Sequence, residues 1–323
     1  MTVSKALRDE PDVSVATKTR LKQLAQEMGY VPDTFARALR TRSSKLLGLV
    51  ISTITNPIFA RVLFAIEEQA REAGYQIVLA QTLGTVEREE LCIRQLLARQ
   101  VDGLFISPVY RMPTDSAVYR ELAVRKTPTI ILGHRAAFCS QFICVEPDDL
   151  TGSYHLTKHL LELGHKRIAF FAGQVASPAS QERFEGYRRA LREAAQEVDE
   201  KLIFQAGSTI EDGTKAALQM MNETVNATAV QADNDLVAIG AAQTFLSQGL
   251  KIPEDLSVAG FGNILTAEHF RVPLTTVRQP KHRLGTAAME AMSLLLRGER
   301  PEPKRLAADV IVRDSTSVPP GKA

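Results

Sequence analysis

The stretch LLGLVISTITNPIFARVLFAIEEQAREAGYQIVLAQ, residues 46–81, decides the fold of this chain. It opens with an apolar run that is typical of a parallel strand covered on both faces. The segment 59–74 then has one helix face at the i, i+3, i+4 and i+7 positions, and Gly74 is a typical helix stop. That face consists of Val62, Ala65, Ile66 and Gln69. A second apolar run, 75–81, completes a strand–helix–strand unit.

The same alternation continues from this unit to the end of the chain. The strand candidates are 46–52, 75–81, 102–108, 128–133, 142–146, 167–173, 202–207, 227–233, 256–262, 274–279 and 309–314. The helix candidates are 59–74, 87–99, 149–163, 180–195, 210–222, 235–248 and 281–297. This pattern predicts an α/β fold in which helices cover parallel sheets.

The alternation is too long for one small sheet, so we predict two doubly wound parallel-sheet lobes. The candidate crossovers between them lie near 145–150 and 274–284. The predicted units are an all-α head at 1–45, a first lobe at 46–145 plus 281–308, and a second lobe at 146–280 plus 309–323. Ligands of such sheets bind at the carboxyl ends of the strands, which here predicts a site in the cleft between the lobes.

Composition excludes several classes of protein. The 323 residues are 45% hydrophobic and 24% charged, which argues against a disordered chain, a collagen-like chain and a small disulfide scaffold. No apolar run approaches the roughly 18 residues of a membrane span, and MTVSKALRDE lacks the apolar core of a secretory signal. Cys92, Cys139 and Cys144 have no metal-ligand spacing and indicate reduced thiols. We therefore expect a cytoplasmic protein with neither a metal site nor a cofactor.

The net charge of +2 is unevenly distributed along the chain. Residues 1–46 contain nine Lys and Arg against five Asp and Glu, and the remainder is slightly acidic. A basic head on such a body is typical of a polyanion-binding module, and a solvated helical surface is the alternative. Within the head, Ser14, residues 17–28 and Gly29 predict an N-capped helix with a glycine stop, and residues 33–40 predict a short basic helix.

Several segments resemble one family in order and spacing. They are TVSKAL (2–7), DVS (12–14), RLKQLAQEMGYVPDTFARALRTRSSKLLGLV (20–50), NPIFARVLFAIEEQAREAGY (56–75), VDGLFISP (101–108), LLELGHKRIAFFAG (160–173), RFEGYRRAL (183–191), NDLVAIGA (234–241), IPEDLSVAGF (252–261) and PLTTVRQP (273–280). Together they resemble the LacI/GalR family of bacterial repressors. The resemblance implies a helix-turn-helix head, a hinge helix and a core similar to type I periplasmic sugar-binding proteins. It also implies a dimer or tetramer on a palindromic DNA operator, and the absence of a heptad tail after Asp314 favours a homodimer.

The resemblance assigns DNA contacts to the head and to a hinge at 33–42. The implied contacts are Thr2, Ser4, Lys5, Arg37, Leu39 and Arg40. Lys5 matches a base-contact position of the family, and Leu39 matches the leucine that wedges into the minor groove. Because Met1 directly precedes the presumed recognition helix, we expect either a misassigned or incomplete start or a truncated regulator. The alternatives for these residues are a frayed tail and an ordinary charged linker.

The resemblance also places a small-molecule effector in the cleft. The implied contacts are Asn56, Ile58, Phe59, Ala60, Ser107, Ser177, Arg183, Asn234 and Gln279. Arg183 matches the ligand-holding arginine of the family, whose planar fork suits carboxylates, phosphates or vicinal hydroxyls. The alternative for Arg183 is a surface salt bridge. Asn234 matches a polar contact, whereas Asp235 is expected to cap a helix, and pure capping is the alternative for both.

One position in the predicted cleft departs from the family pattern. The family usually has two aspartates after the strand 256–261, where this chain has Gly262 and Asn263. The missing carboxylate argues against a simple pyranose held in the usual way. The effector is therefore expected to be a modified sugar, a sugar acid or phosphate, or a nucleoside, unless the chain has none. Arg183 without that carboxylate favours an anion.

Enzyme classes find no support in the sequence. His155 and His159 are four residues apart on a predicted helix, but no HExxH motif or third metal ligand accompanies them, and no GxSxG, GxGxxG or P-loop motif is present. We therefore predict a sequence-specific transcriptional regulator, acting as a repressor, whose operator affinity is controlled by an effector. The alternative is a small-molecule sensor that no longer binds DNA specifically because its head is incomplete.

Overall fold

The computed structural model describes residues 2–7, 9–30 and 43–321. They form two compact units, a head up to Ser44 and a core from Lys45 onward. The head contains helices α1 (Thr2–Leu7) and α2 (Val15–Glu27). The predicted N-cap is confirmed, because the side chain of Ser14 accepts a hydrogen bond from the backbone N–H of Thr17 at 3.4 Å. The helix predicted at 33–40 lies outside the described residues.

The first sheet of the core contains six parallel strands in the order β11-β5-β4-β3-β1-β2. Its strands are β1 (Leu46–Ile51), β2 (Gln76–Gln81), β3 (Gly103–Ile106), β4 (Thr129–Leu132), β5 (Ile143–Pro147) and β11 (Lys304–Leu306). Its helices are α3 (Pro57–Glu72), α4 (Val86–Ala98), α5 (Ala117–Arg125) and α11 (Lys281–Leu296). We call this sheet with its helices the first lobe.

The second sheet has the order β12-β10-β9-β8-β6-β7 and is parallel except for the pairing of β12 with β10. Its strands are β6 (Ile168–Ala172), β7 (Ile203–Gln205), β8 (Ala229–Ala232), β9 (Ser257–Gly262), β10 (Thr275–Arg278) and β12 (Asp309–Ile311). Its helices are α6 (Asp149–Glu162), α7 (Pro178–Glu193), α8 (Ile210–Asn222), α9 (Asp235–Ser247) and α10 (Leu265–Glu268). We call this sheet with its helices the second lobe. The prediction of two parallel-sheet α/β lobes is confirmed.

The chain passes between the lobes three times, after β5, after β10 and after β11. Each lobe has its own apolar core between sheet and helices. The three cysteines are free and buried. No helix in the part of the chain that the structure describes is long and apolar enough to cross a membrane.

Close packing of α7 on α6 is the local feature that most directly shapes the cleft. The two helices meet at Gly186, where an added Cβ would lie 2.4 Å from the carbonyl oxygen of Leu150 and 2.8 Å from the backbone nitrogen of Tyr154. Only glycine allows the backbones to approach so closely. Arg183 lies one turn before Gly186 on α7, so this contact brings its side chain to the beginning of α6.

Candidate functional site

A cleft of about 370 Å³ lies between the two lobes, at the carboxyl ends of their strands. Its first-lobe wall is largely apolar and its second-lobe wall is largely polar. The apolar wall includes Ile58, Phe59, Val62, Tyr110, Leu132, Val145 and Leu284. The polar wall includes Asp149, Gln174, Ser177, Ser180, Arg183, Ser208, Asp233, Asn234 and Asp235. Such a division suits a ligand with one apolar face and one face rich in polar groups.

The structure brings most of the sequence-implied effector residues together in this cleft. The residues that line it are Asn56, Ile58, Phe59, Ser107, Ser177, Arg183, Asn234 and Gln279. Ala60 is exposed and lies outside the lining, because it follows Phe59 on α3 and falls on another face of that helix.

Three of the helices that begin at the cleft have a side-chain cap that also lines it. Asn56 accepts from the N–H of Ile58 at 3.1 Å, and Ser177 accepts from the N–H of Ser180 at 3.4 Å. Asn234 accepts from the N–H of Val237 at 3.0 Å and is the N-cap of α9. These caps satisfy backbone donors that would otherwise be unpaired at the helix termini.

The expected capping role of Asp235 is wrong. Because Asn234 already caps α9, Asp235 is the first helical residue, and its carboxylate serves another purpose. It accepts from the hydroxyl of Thr276 at 2.6 Å and from the N–H of Ile264 at 2.8 Å. Asp235 therefore joins α9 to the segments beside β9 and β10, and burial raises its pKa.

Arg183 lies at the centre of the polar wall and is already paired with two carboxylates. Its Nε and Nη2 each lie 3.2 Å from Oδ1 of Asp149, and its Nη1 lies 2.7 Å from the carbonyl oxygen and 3.3 Å from Oδ2 of Asp233. The guanidinium stacks on the ring of Phe261 at 4.2 Å. Gln279 also donates to Oδ1 of Asp149 at 3.2 Å. Arg183 is thus not a free cation awaiting an anionic ligand.

The two aspartates paired with Arg183 were not assigned to the site from the sequence. Oδ2 of Asp149 and Oδ1 of Asp233 are buried and accept no hydrogen bond in the structure. Burial raises the pKa of Asp149, although Arg183 and His134 oppose the rise. Unsatisfied buried carboxylate oxygens are costly, so a ligand that donates N–H or O–H groups to them would relieve that cost. The signal that could have found them is their position, because Asp233 directly follows β8 and Asp149 stands two residues after the end of β5.

Gly262 lies at the end of β9 in a conformation that other residues rarely adopt, with φ of 132°. A Cβ added there would lie 3.1 Å from Cδ1 of Ile58 and 3.4 Å from Oδ2 of Asp235. An aspartate at this position would therefore stand beside a second buried carboxylate. The ammonium of Lys281 donates to the carbonyl oxygens of Gly262 at 2.5 Å and Asn263 at 2.8 Å. Burial lowers the pKa of Lys281 to about 8.

A buried ion pair holds the cleft-lining loop after β3. Glu89 on α4 is fully buried, and its Oε1 accepts from the N–H of Val109 at 2.7 Å and from the hydroxyl of Tyr119 at 2.9 Å. Its Oε2 lies 2.9 Å from Nη2 of Arg111. Burial raises the pKa of Glu89, and the groups around its carboxylate oppose the rise. The backbone that presents Ser107 to the cleft is thus joined to α4.

The DNA-contact candidates are described only in part. Thr2, Ser4 and Lys5 all lie on α1, where Lys5 forms an ion pair with Asp12. The remaining three candidates, Arg37, Leu39 and Arg40, lie outside the described residues.

Comparison with known proteins gives consistent matches for both units. Residues 1–33 match the family described as bacterial regulatory proteins, lacI family, and residues 157–316 match a periplasmic binding protein-like domain. The chain is 31% identical over 321 residues to the HTH-type transcriptional repressor CytR of Escherichia coli K12, covering 99% of this chain and 93% of CytR. It is 33% identical over 296 residues to the HTH-type transcriptional repressor PurR of Vibrio atlanticus, covering 90% and 86% of the two chains.

A solved structure shares both the fold and the extent of the chain. The transcriptional regulator CelR in complex with cellobiose has a TM-score of 0.77 and 30% sequence identity, over 97% of this chain and 95% of CelR. The match extends over head and core alike, and the relatives named here are regulators rather than enzymes.

Proposed function

The chain belongs to the LacI family of bacterial regulatory proteins, and on that premise we propose that it is a repressor whose operator affinity is set by a small molecule in the interlobe cleft. Its function is the regulation of transcription through DNA binding. The observation that carries the proposal is the combination, in one chain, of a head that matches the lacI family and a cleft lined by buried polar groups. We propose no catalytic role for the cleft.

On the DNA side, we propose that α1 and the hinge make the contacts. The proposed residues are Thr2, Ser4, Lys5, Arg37, Leu39 and Arg40. The basic excess of residues 1–46 supports this placement, since neutralising phosphates releases counterions and drives binding. The alternative of a sensor without specific DNA binding is not favoured, because residues 1–33 match the regulatory family.

For the core we propose the boundaries that the sequence suggested. They are a first lobe at 46–145 plus 281–308 and a second lobe at 146–280 plus 309–323, with the hinge at 33–42, except that β5 extends the first lobe to Pro147. We further propose that the chain acts in the cytoplasm as a homodimer on a palindromic operator. An operator with two half-sites suits a protein with two-fold symmetry.

For the effector we propose a neutral molecule with several N–H or O–H donors and one apolar face. Cleft contacts are proposed for Asn56, Ile58, Phe59, Ser107, Ser177, Arg183, Asn234 and Gln279, and Ala60 is left out because it lies outside the lining. The unsatisfied oxygens of Asp149 and Asp233 favour donors, whereas the pairing of Arg183 with both carboxylates leaves it poorly placed to attract an anion. The apolar first-lobe wall suits a ring face.

Calorimetry with matched ligand pairs tests the effector chemistry. The pairs are glucose and glucose 6-phosphate, ribose and ribose 5-phosphate, and adenosine and its monophosphate. We expect any binding to be to the neutral member, with the phosphate ester at least tenfold weaker, because its charge would face Asp149 and Asp233. Tighter binding of a phosphate ester would contradict the proposed chemistry.

Fluorescence anisotropy with the promoter DNA of the chain's own gene tests the DNA-binding function. We expect specific binding whose affinity falls steeply with salt, with a slope of about 0.9 per phosphate contact on a log–log plot. Lys5→Ala should weaken binding, whereas Lys158→Ala, on an exposed part of α6, is the matched control and should not. Equal binding of promoter and scrambled DNA would contradict the repressor function.

A further inference from the structure

The two lobes are bridged beside the cleft by a histidine and a glutamate. His134 follows β4 in the first lobe, and Glu182 lies on α7 in the second. Nε2 of His134 lies 3.1 Å from Oε2 of Glu182. The His134 side chain is only 4% exposed, so the ring contacts Glu182 in an environment with little competing water. Because the partners belong to different lobes, this contact exists only while the lobes are together.

The other charged groups around His134 are mostly carboxylates. Oδ2 of Asp149, at the beginning of α6, lies 3.4 Å from Nε2 of His134 and is one of the buried oxygens without a hydrogen bond. Glu146 on β5 is a further negative charge nearby. The hydroxyl of Tyr110 donates to the backbone carbonyl of His134 at 2.9 Å and leaves the ring free to titrate.

Two cations complete the cluster: Arg183, which pairs with Oδ1 of Asp149 at 3.2 Å, and Arg305, on the far side of Glu182. Arg305 on β11 lies 2.7 Å and 3.0 Å from the two carboxylate oxygens of Glu182, 2.9 Å from Asp148 and 3.3 Å from Glu146. Arg305 is charged at all relevant pH values, so its contribution to holding the lobes together does not depend on pH. The variable component of the cluster is the charge of His134.

The electrostatics of the bridged conformation favour the protonated ring. Burial by itself would lower the pKa of His134, but Glu182, Asp149 and Glu146 outweigh burial and raise it above its ordinary value of 6.5. Burial would raise the pKa of Glu182, but His134 and Arg305 lower it, so the carboxylate stays ionised. A neutral imidazole can still donate one hydrogen bond to Glu182, whereas only the imidazolium is attracted to all three carboxylates.

We propose that His134 and Glu182 form a proton-linked latch, in which protonation of the His134 ring favours the conformation with the lobes together and its loss favours their separation. The proposal rests on the proposed function in one respect, since it assigns a regulatory input to the same cleft. The proton comes from solvent and returns to it, and the latch requires no bound ligand.

The direction of the pH dependence follows from the two conformations. When the lobes separate, His134 loses its contact with Glu182, and the pKa of its ring returns towards the ordinary value. Closing of the lobes therefore takes up a proton at pH values between the ordinary and the raised pKa. The ratio of closed to open molecules should therefore fall as pH rises through this window, by up to about tenfold per pH unit.

A second interlobe contact responds to pH in the opposite direction, and it sets the highest pH at which the latch can be tested. Lys281, at the beginning of α11, reaches the carbonyl oxygens of Gly262 and Asn263 in the second lobe. Its pKa of about 8 in this conformation would rise when the lobes separate, so closing there releases a proton. Measurements between pH 6.0 and 7.5 stay below this transition.

Electron–electron double resonance on the full chain tests the latch. Val124 on α5 and Leu218 on α8 lie in different lobes and are 83% and 42% exposed, so each can be replaced by cysteine and spin-labelled. The three native cysteines are buried. In the protein without added ligand, we expect the interlobe distance distribution to shift to longer distances from pH 6.0 to pH 7.5.

Variants distinguish the latch from a general effect of pH. His134→Gln should abolish the shift, and Glu182→Gln should lower the pKa of His134, measured by NMR titration of its ring, because the nearest carboxylate charge is removed. His155→Gln, at an exposed histidine of α6, is the matched control and should behave as the unmodified chain. If His134→Gln does not fold, Glu182→Gln provides both readouts.

Two results would overturn the latch. One is a distance distribution that does not change between pH 6.0 and 7.5, and the other is an unaltered shift in Glu182→Gln. Operator binding of the same variants at pH 7 is measured separately. If the unmodified chain shows the pH-dependent shift but does not bind operator, the result would count against the proposed repressor function and leave the latch standing.

Discussion

At the scale of single residues, Arg183 shows what the sequence could reveal and what it could not. Its position on α7 and its place in the cleft agree with the expectation for a ligand-holding arginine. The expectation of a preference for anions assumed an unpaired guanidinium. Two aspartates that follow strands β5 and β8 instead share this guanidinium, and only the folded chain brings them to it.

Removing the Arg183 charge should strongly destabilise the second lobe. Arg183→Met leaves Asp149 and Asp233 as buried carboxylates without their cation, and breaking a buried pair in this way costs about 3–5 kcal/mol. Urea unfolding measures the loss. The triple variant with Asp149→Asn and Asp233→Asn is the control and should recover much of the stability, because no uncompensated charge remains. A loss below about 1 kcal/mol in Arg183→Met would show that the pair contributes little.

Restoring the family carboxylate at Gly262 should destabilise the chain. Gly262→Asp places a side chain at a φ of 132° and beside Asp235, and backbone strain of this kind costs about 1–3 kcal/mol. Thermal unfolding measures the change. Gly298→Asp is the control, since Gly298 also has a positive φ but an added Cβ meets no atom within 4 Å. A stability equal to that of the unmodified chain would contradict the explanation given for Gly262.

The location of a residue could be predicted where its position at the end of a strand or helix determines it. Asn56, Ser177 and Asn234 come directly before helices that follow strands, so their place at the cleft could be predicted. The expected role of Asp235 was wrong because Asn234 and Asp235 are both suitable N-cap residues, and the sequence does not indicate which of them occupies that position.

At the scale of elements, the N-termini of α3, α7 and α9 converge on the cleft, and a buried ion pair fixes the loop opposite them. Most strands and helices were predictable because they carry apolar runs or an apolar face. Three were not. Helices α5 and α10 have only nine and four residues, and β11 is an edge strand of sequence KRL without an apolar run, so it is recognisable only from its pairing with β5.

The Glu89–Arg111 pair should determine the stability of the loop after β3. Glu89→Leu leaves Arg111 as a buried charge without its partner and should lower the free energy of unfolding by about 3–5 kcal/mol. Chemical denaturation measures this loss. The double variant with Arg111→Met is the control and should recover the part of the loss that comes from the unpaired guanidinium, whereas the N–H of Val109 and the hydroxyl of Tyr119 still lack their acceptor. Equal losses in the single and double variants would show that the unpaired guanidinium of Arg111 contributes little to the loss of stability.

At the scale of the whole molecule, charge and cleft are divided between the two units. The basic excess lies in the head, whereas the ligand-sized cavity lies in the core. The charge division and the number of lobes could be read from the sequence. The bridge between His134 and Glu182 could not, since the two residues are 48 positions apart and meet only because the chain crosses between the lobes.

Binding in the cleft should stabilise the whole core. A ligand that binds only the folded chain adds about 2.7 kcal/mol at one hundred times its Kd. A neutral ligand found by calorimetry should therefore raise the unfolding midpoint in proportion to the logarithm of its concentration. Arg183→Met should diminish this increase, and an undiminished increase in that variant would contradict the proposed contact with Arg183.

The central claim is that the cleft and the DNA-binding head are energetically coupled. The most direct test is the operator affinity of the full chain, measured by anisotropy at fixed salt with and without a saturating neutral ligand. It is paired with the ligand affinity measured with and without operator. Linkage requires the two factors to be equal, and we expect a value between about 5 and 150. An operator affinity that does not change when the cleft is filled would contradict the account.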